Sequence, residues 1–169
     1  MKAVARLLNQ MTSEGILDDY AVFGAVAQMR YTEAVVTMDV DVLVILPEEK
    51  GLDILRSVYD FCRRRGLEPQ GETIHVGDWP VQFIPTFSTL TEAAVRHADT
   101  GEIEGVSIRV VRPDYLAVIA LSAGRAKDYA RILSLLESGT VNRGEIEGLA
   151  GDFGLRSQWS SFREKFLGG

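Results

Sequence analysis

The chain reads as an α/β (α+β) protein, a small mixed β-sheet flanked by helices and finished by C-terminal helices. Two patterns predict this. From about residue 19 to 111, short apolar or β-branched runs alternate with helical stretches, whereas from 113 onward only helical periodicity remains. A third observation is the punctuation: Gly15, Pro47, Gly66, Pro113 and Gly124 fall where one pattern stops or the next begins.

Residues 2–14 read as a helix with Leu7, Leu8 and Met11 on its apolar stripe, closed by Gly15. A strand over 19–23 runs into Gly24-Ala25 and a helix over 25–31. The run from 39 to 46 is the second strand, stopped by Pro47. Residues 50–65 form an amphipathic helix with Leu52, Leu55, Val58, Tyr59 and Cys62 on one face. It ends in Arg63-Arg64-Arg65, which suits a helix C-terminus, before Gly66. Two strands follow as a hairpin, 72–76 and 79–84, with Gly77-Asp78 as turn residues. Thr89 or Thr91 caps a helix to about 98, with Glu92 in its first turn. Val106 to Val111 is β-branched and reads as a strand. Pro113 opens an almost wholly apolar helix interrupted at Gly124. Helices over 126–137, 143–150 (capped by Asn142) and 156–166 complete the chain. Residues 1–112 are expected to form the core and 113–169 a helical part packed on it as one compact unit.

Composition narrows the function. At 169 residues and 46% apolar, the chain can bury a sizeable core. No apolar run approaches the length of a membrane span, and the start of the chain lacks a signal-peptide apolar segment. One cysteine, Cys62, excludes an intramolecular disulfide and fits a reducing, cytoplasmic setting. His75 and His97 make no zinc spacing. The net charge of −6 gives no electrostatic footprint for broad nucleic-acid binding.

The most informative motif is Asp39-Val40-Asp41. Side chains alternate along a strand, so the two carboxylates share one face about 7 Å apart while Val40, Val42 and Val44 face a core. Carboxylates so placed repel unless a cation lies between them, and Mg2+ (or Mn2+) held by carboxylates and substrate phosphates is the usual occupant. A solvated acidic strand edge is the plainer alternative. Upstream, the order strand, Gly24-Ala25, helix is the backbone arrangement that presents free N–H groups to a phosphate.

Phe23-Gly24-Ala25, thirteen residues, then Asp39-Val40-Asp41-Val42 resembles the signature of the DNA polymerase beta-like nucleotidyltransferase superfamily. Thr37 and Ala27 look like its AbiEii-like, abortive-infection toxin-type branch. The resemblance implies a minimal nucleotidyltransferase fold with a nucleotidyltransferase-like core. It implies Asp39 and Asp41 as catalytic metal ligands, and Gly24 and Ala25 at the phosphates of a nucleoside triphosphate. It further implies transfer of a nucleoside monophosphate to an RNA or protein hydroxyl, and an antitoxin protein as partner.

The chain also departs from the pattern. Ala25 replaces the usual Gly or Ser, which removes a hydroxyl but spares backbone contacts. The third carboxylate is expected on the strand 79–85, where the polar position is Gln82, an amide that cannot act as a base. Asp78 and Glu72 are nearby alternatives. Gly124 to Arg131 resembles the Lys-Asp segment of the toxin-type enzymes, which puts Lys127 and Arg131 on one helix face toward phosphate. The family's further Lys on the preceding helix is Ala120 or Ser122 here. Arg30 either approaches the site or caps its helix. Trp79, Phe83, Phe87, Trp159 and Phe162 are candidates to stack a base, with core packing as the alternative. A catalytically retired domain that serves in regulation or partner binding is the rival reading, and Gln82 is its sign.

Overall fold

The computed structural model describes residues 1–33, 37, 39–47 and 53–168. Its element order is α1 (Lys2–Ser13), β1 (Asp19–Phe23), α2 (Gly24–Gln28), β2 (Val40–Ile45), α3 (Arg56–Arg63), β3 (Pro69–Gln70), β4 (Thr73–Val76), β5 (Trp79–Pro85), α4 (Thr89–Arg96), β6 (Asp99–Ile103), β7 (Val106–Val110), α5 (Pro113–Ala123), α6 (Ala126–Glu137), α7 (Arg143–Asp152) and α8 (Arg156–Phe166). The strands form one seven-stranded mixed sheet in the order β3-β4-β5-β2-β1-β7-β6. The chain divides into two compact units, Met1–Ala27 with Val35–Val111 and Gln28–Ala34 with Arg112–Gly169.

The first unit holds the sheet. β2 pairs antiparallel with β1 and parallel with β5, and β1 pairs parallel with β7 at Val22↔Val110. Val40, Val42, Leu43, Val44 and Ile45 are all buried, so both faces of β2 are covered beyond Asp41. α1 buries Val4, Ala5, Leu7, Leu8 and Met11 and packs on β1 and β7. Asn9 ties the layers together, since its Nδ2 donates to the Ser107 carbonyl at 2.8 Å and its Oδ1 accepts from Tyr20 Oη at 2.7 Å. α3 buries Val58, Phe61 and Cys62 completely. Filling a core with side chains the size of Val58 and Phe61 contributes about 1.5–3 kcal/mol each.

The second unit is built around α5. Its residues Tyr115 to Leu121 are all buried, and α6, α7 and α8 pack against it. Gly124 ends α5 in the left-handed region. On α8, Trp159 stacks on Phe162 at 5.6 Å between centroids, and Tyr129 of α6 leans on Phe162 at 5.5 Å.

Several expectations need correction. The helix after Gly24 ends at Gln28 rather than at 31. The expected 50–65 helix begins at Arg56, because Ile54 and Leu55 lie in a turn before it; its expected residues 50–52, Leu52 included, fall outside the described residues. The cap of α4 is Ser88, not Thr89 or Thr91. Its hydroxyl accepts from Thr91 N at 3.2 Å, and Thr91 Oγ1 accepts from Ser88 N at 3.1 Å, so Thr91 closes the reciprocal box from inside the helix. The sheet is larger than expected because β3 and β6 carry almost no hydrophobic signal. Both are edge strands, and β6 (Asp-Thr-Gly-Glu-Ile) pairs through its backbone with β7 while four of its five side chains are polar or absent.

Candidate functional site

β1 runs from Phe23 directly into Gly24, the first residue of α2. Gly24 is buried and holds φ +66°, a conformation that costs a side-chain-bearing residue about 1–2 kcal/mol. A second constraint coincides with the first: a Cβ at Gly24 would stand 2.5 Å from Asp41 Oδ2 and 3.3 Å from its Cγ. The register explains the contact. Phe23 pairs with Asp41, so the next residue turns back across the Asp41 carboxylate. Only glycine lets the turn and the carboxylate share that space.

Asp39 occupies the bend that leads into β2, where Thr37 Oγ1 donates to the Asp39 carbonyl at 2.9 Å. Val40, between the two acids, is fully buried, while Asp39 and Asp41 are both partly accessible. On the other side of β2, Asp41 pairs in parallel register with Gln82 of β5. Paired residues on adjacent strands point to the same face, with strands about 4.8 Å apart. Phe23, Asp41 and Gln82 therefore form one row across three strands.

Gln82 sits at the position expected for a third acid. Its Nε2 donates to Glu72 Oε2 at 3.3 Å, and Glu72 belongs to the Gly71-Glu72 turn that joins β3 to β4. Asp78 lies in the two-residue turn between Val76 and Trp79, where Gly77 takes φ +62°. It is turn chemistry, as its sequence suggests. Among the described residues, no group of three or more His, Cys, Asp or Glu side chains is placed to hold a metal. The residues that could hold a hard divalent ion are Asp39 and Asp41 at the mouth of β2, with Gly24 leaving room beside the Asp41 carboxylate.

Arg30, Lys127 and Arg131 belong to the second unit. Arg30 follows α2 and lies exposed, its guanidinium 5.9 Å from the Tyr31 ring centroid. Lys127 is exposed in the first turn of α6. Arg131 is different, since its Nε donates to Oε1 of the buried Gln28 at 3.0 Å. Asp128, 1% exposed, accepts from Arg125 N at 3.2 Å, Nε at 2.6 Å and Nη2 at 3.2 Å. Burial alone would push the Asp128 carboxyl up. The side-chain and backbone hydrogen bonds from Arg125, with the Arg125 and Arg131 charges, outweigh it and hold the group below the ordinary carboxylate range. Sequence reasoning missed Gln28 as the partner of Arg131. The two meet only through folding, and no local pattern marks the pair.

The other candidates sort by burial. Phe83, Trp159 and Phe162 are core, Trp79 is half-buried, and Phe87 is 77% exposed. Ala120 is buried, and Ser122 Oγ donates to the Ile119 carbonyl at 2.7 Å, so neither supplies the charge of the additional Lys that the resemblance leads one to expect. The arginine run is a helix terminus: Arg63 pairs with Asp60 at 3.2 Å, and Arg65 lies over the Phe61 ring and pairs with Glu14 at 2.9 Å.

This mixed sheet with its flanking helices is the nucleotidyltransferase fold. The particular structures it resembles include the solution structure of the antibiotic-resistance factor ANT(2'')-Ia, at 15% identity and a TM-score of 0.55, covering 99% of this chain and 98% of that one. An antigenic nucleotidyltransferase-like protein from Paracoccidioides brasiliensis matches at 15% identity and a TM-score of 0.56, over 96% of this chain and 91% of that one. ANT(2'')-Ia in complex with adenylyl-2''-tobramycin matches at 13% identity and 0.52, over 96% and 97%. No family model and no curated protein sequence matches the chain.

Proposed function

We propose that the protein binds a nucleoside triphosphate with Mg2+ or Mn2+ and transfers its nucleoside monophosphate to a hydroxyl, with pyrophosphate leaving. The observation that carries this reading is the contact of Gly24 with Asp41, which sets a bare backbone turn against a carboxylate two residues from a second one. Gly24 and Ala25 present N–H groups to the phosphates. Because α2 has only five residues, these individual donors matter more than its dipole. Asp39 and Asp41 hold the cation, which when bound offsets phosphate charge and polarises the phosphoryl oxygens. The resemblance adds Lys127, Arg131 and Arg30 as candidate cations for the triphosphate, Arg131 also donating through Nε to Gln28. The acceptor is an RNA or protein hydroxyl, as in toxin-type nucleotidyltransferases that work against an antitoxin. The charge of −6 favours the protein acceptor.

Gln82 supports a second reading, a retired domain that keeps nucleotide or partner binding without transfer. Calorimetric titration with ATP, GTP, CTP and UTP, each with Mg2+, tests the binding shared by both. Binding that requires the metal and disappears in the Asp39→Asn/Asp41→Asn protein is expected. Absence of binding to all four overturns the nucleotide reading.

A further inference from the structure

We infer that the site holds a single divalent cation with its nucleotide, and that Gln82 closes the place where a second would sit. The inference rests on the nucleotide-binding reading above and concerns its metal count. Asp39 and Asp41, together with phosphate oxygens of the nucleotide, supply the anionic ligands of one divalent ion. A second ion sharing them would need a further anionic oxygen on the same face. The neighbouring position in that row, one strand over, is Gln82. Its neutral amide supplies at most one weak oxygen donor, and its Nε2 is turned to Glu72 Oε2 at 3.3 Å.

That hydrogen bond does two things. It sets the amide with N–H toward the β3–β4 turn, and it gives the Glu72 carboxylate a donor. Consistent with this, no third carboxylate joins Asp39 and Asp41 in a metal-holding group among the described residues. The pair Gln82–Glu72 thus keeps the site at two charges while a carboxylate lies one hydrogen bond away. Replacing the amide by a carboxylate would restore the third charge and turn Glu72 from a partner into a repelled neighbour.

Mn2+ titration by electron paramagnetic resonance tests this, using the α,β-methylene analogues of ATP, GTP, CTP and UTP at saturation. The expected result is one Mn2+ per bound nucleotide in the wild type and in Glu72→Gln. In Gln82→Asp a second Mn2+ should bind, its affinity at least tenfold above any second-ion binding in the wild type; Gln82→Glu provides the same charge on a longer arm. Circular dichroism confirms that each variant folds. Two Mn2+ ions in the wild type overturn the inference, and a fall from two to one in Glu72→Gln would make Glu72 the missing ligand. Failure of both carboxylate variants to gain an ion also overturns it. If no analogue binds with Mn2+ at all, the nucleotide reading itself fails, an outcome distinct from a wrong metal count.

Discussion

At the scale of single residues, Gly24 carries two independent demands, a positive φ and the space taken by the Asp41 carboxylate. Gly24→Ala is expected to lower stability by at least the roughly 1–2 kcal/mol of the left-handed backbone alone. In an Asp41→Ala background the steric part vanishes and the conformational part stays. A double-mutant cycle measured by urea unfolding should therefore show a coupling of about 0.5–3 kcal/mol between the positions. The sequence made Gly24, Asp39 and Asp41 legible because a strand's period of two and a Gly-small turn are local signals. Gln82, which the register sets beside Asp41, was legible as the polar residue of its strand. Its hydrogen bond to Glu72 was not, because it depends on how a two-residue turn folds back beside β5. Nor was the engagement of Arg131 by Gln28, which join across distant parts of the sequence.

At the scale of elements, α6 starts on a buried carboxylate. The Asp128 pKa is lower in the folded chain than in the unfolded one, where it is about 3.9. Its stabilisation is therefore fully present above about pH 4 and is lost as pH falls through the folded value. Asp128→Asn should show a shallower loss of stability than the wild type as pH falls below about 4, read from urea midpoints. Asp128→Ala should cost about 1–3 kcal/mol at neutral pH, because it strips the charge-assisted hydrogen bonds from a buried position. Elements with strong periodicity were readable: β1, α6 and α8 fall on the expected residues. The early end of α2 has no local cause, since nothing in Ala27-Gln28-Met29 breaks a helix. β3 and β6 owe their place to ladder hydrogen bonds rather than to apolar side chains.

At the scale of the whole molecule, each compact unit has its own buried reporter, Cys62 in the first and Trp159 in the second. Burial pushes the Cys62 thiol up to about 11, the nearby Arg65 opposing only in part. Little thiolate exists at pH 8, and reagent has no access to the sulfur. Native protein should thus resist Ellman's reagent, and one thiol per chain should react once denaturant opens the first unit. Prompt labelling without denaturant would contradict the packing of α3. No helix among the described residues is long and apolar enough to cross a membrane.

The parallel pairing of β1 with β7 has a consequence in time. β1 meets its antiparallel neighbour β2 soon after both are made, but its other edge is completed only by Val110, and Asn9 waits for the Ser107 carbonyl. During vectorial synthesis the half of the sheet that bears Asp39 and Asp41 can therefore take shape while one flank of β1 still lies open. Closing that flank spans most of the first unit, and such long-range strand pairing is a slow step in folding. The acidic pair thus lies beside the short-range edge of β1, and the opposite edge depends on a pairing between residues far apart in the chain.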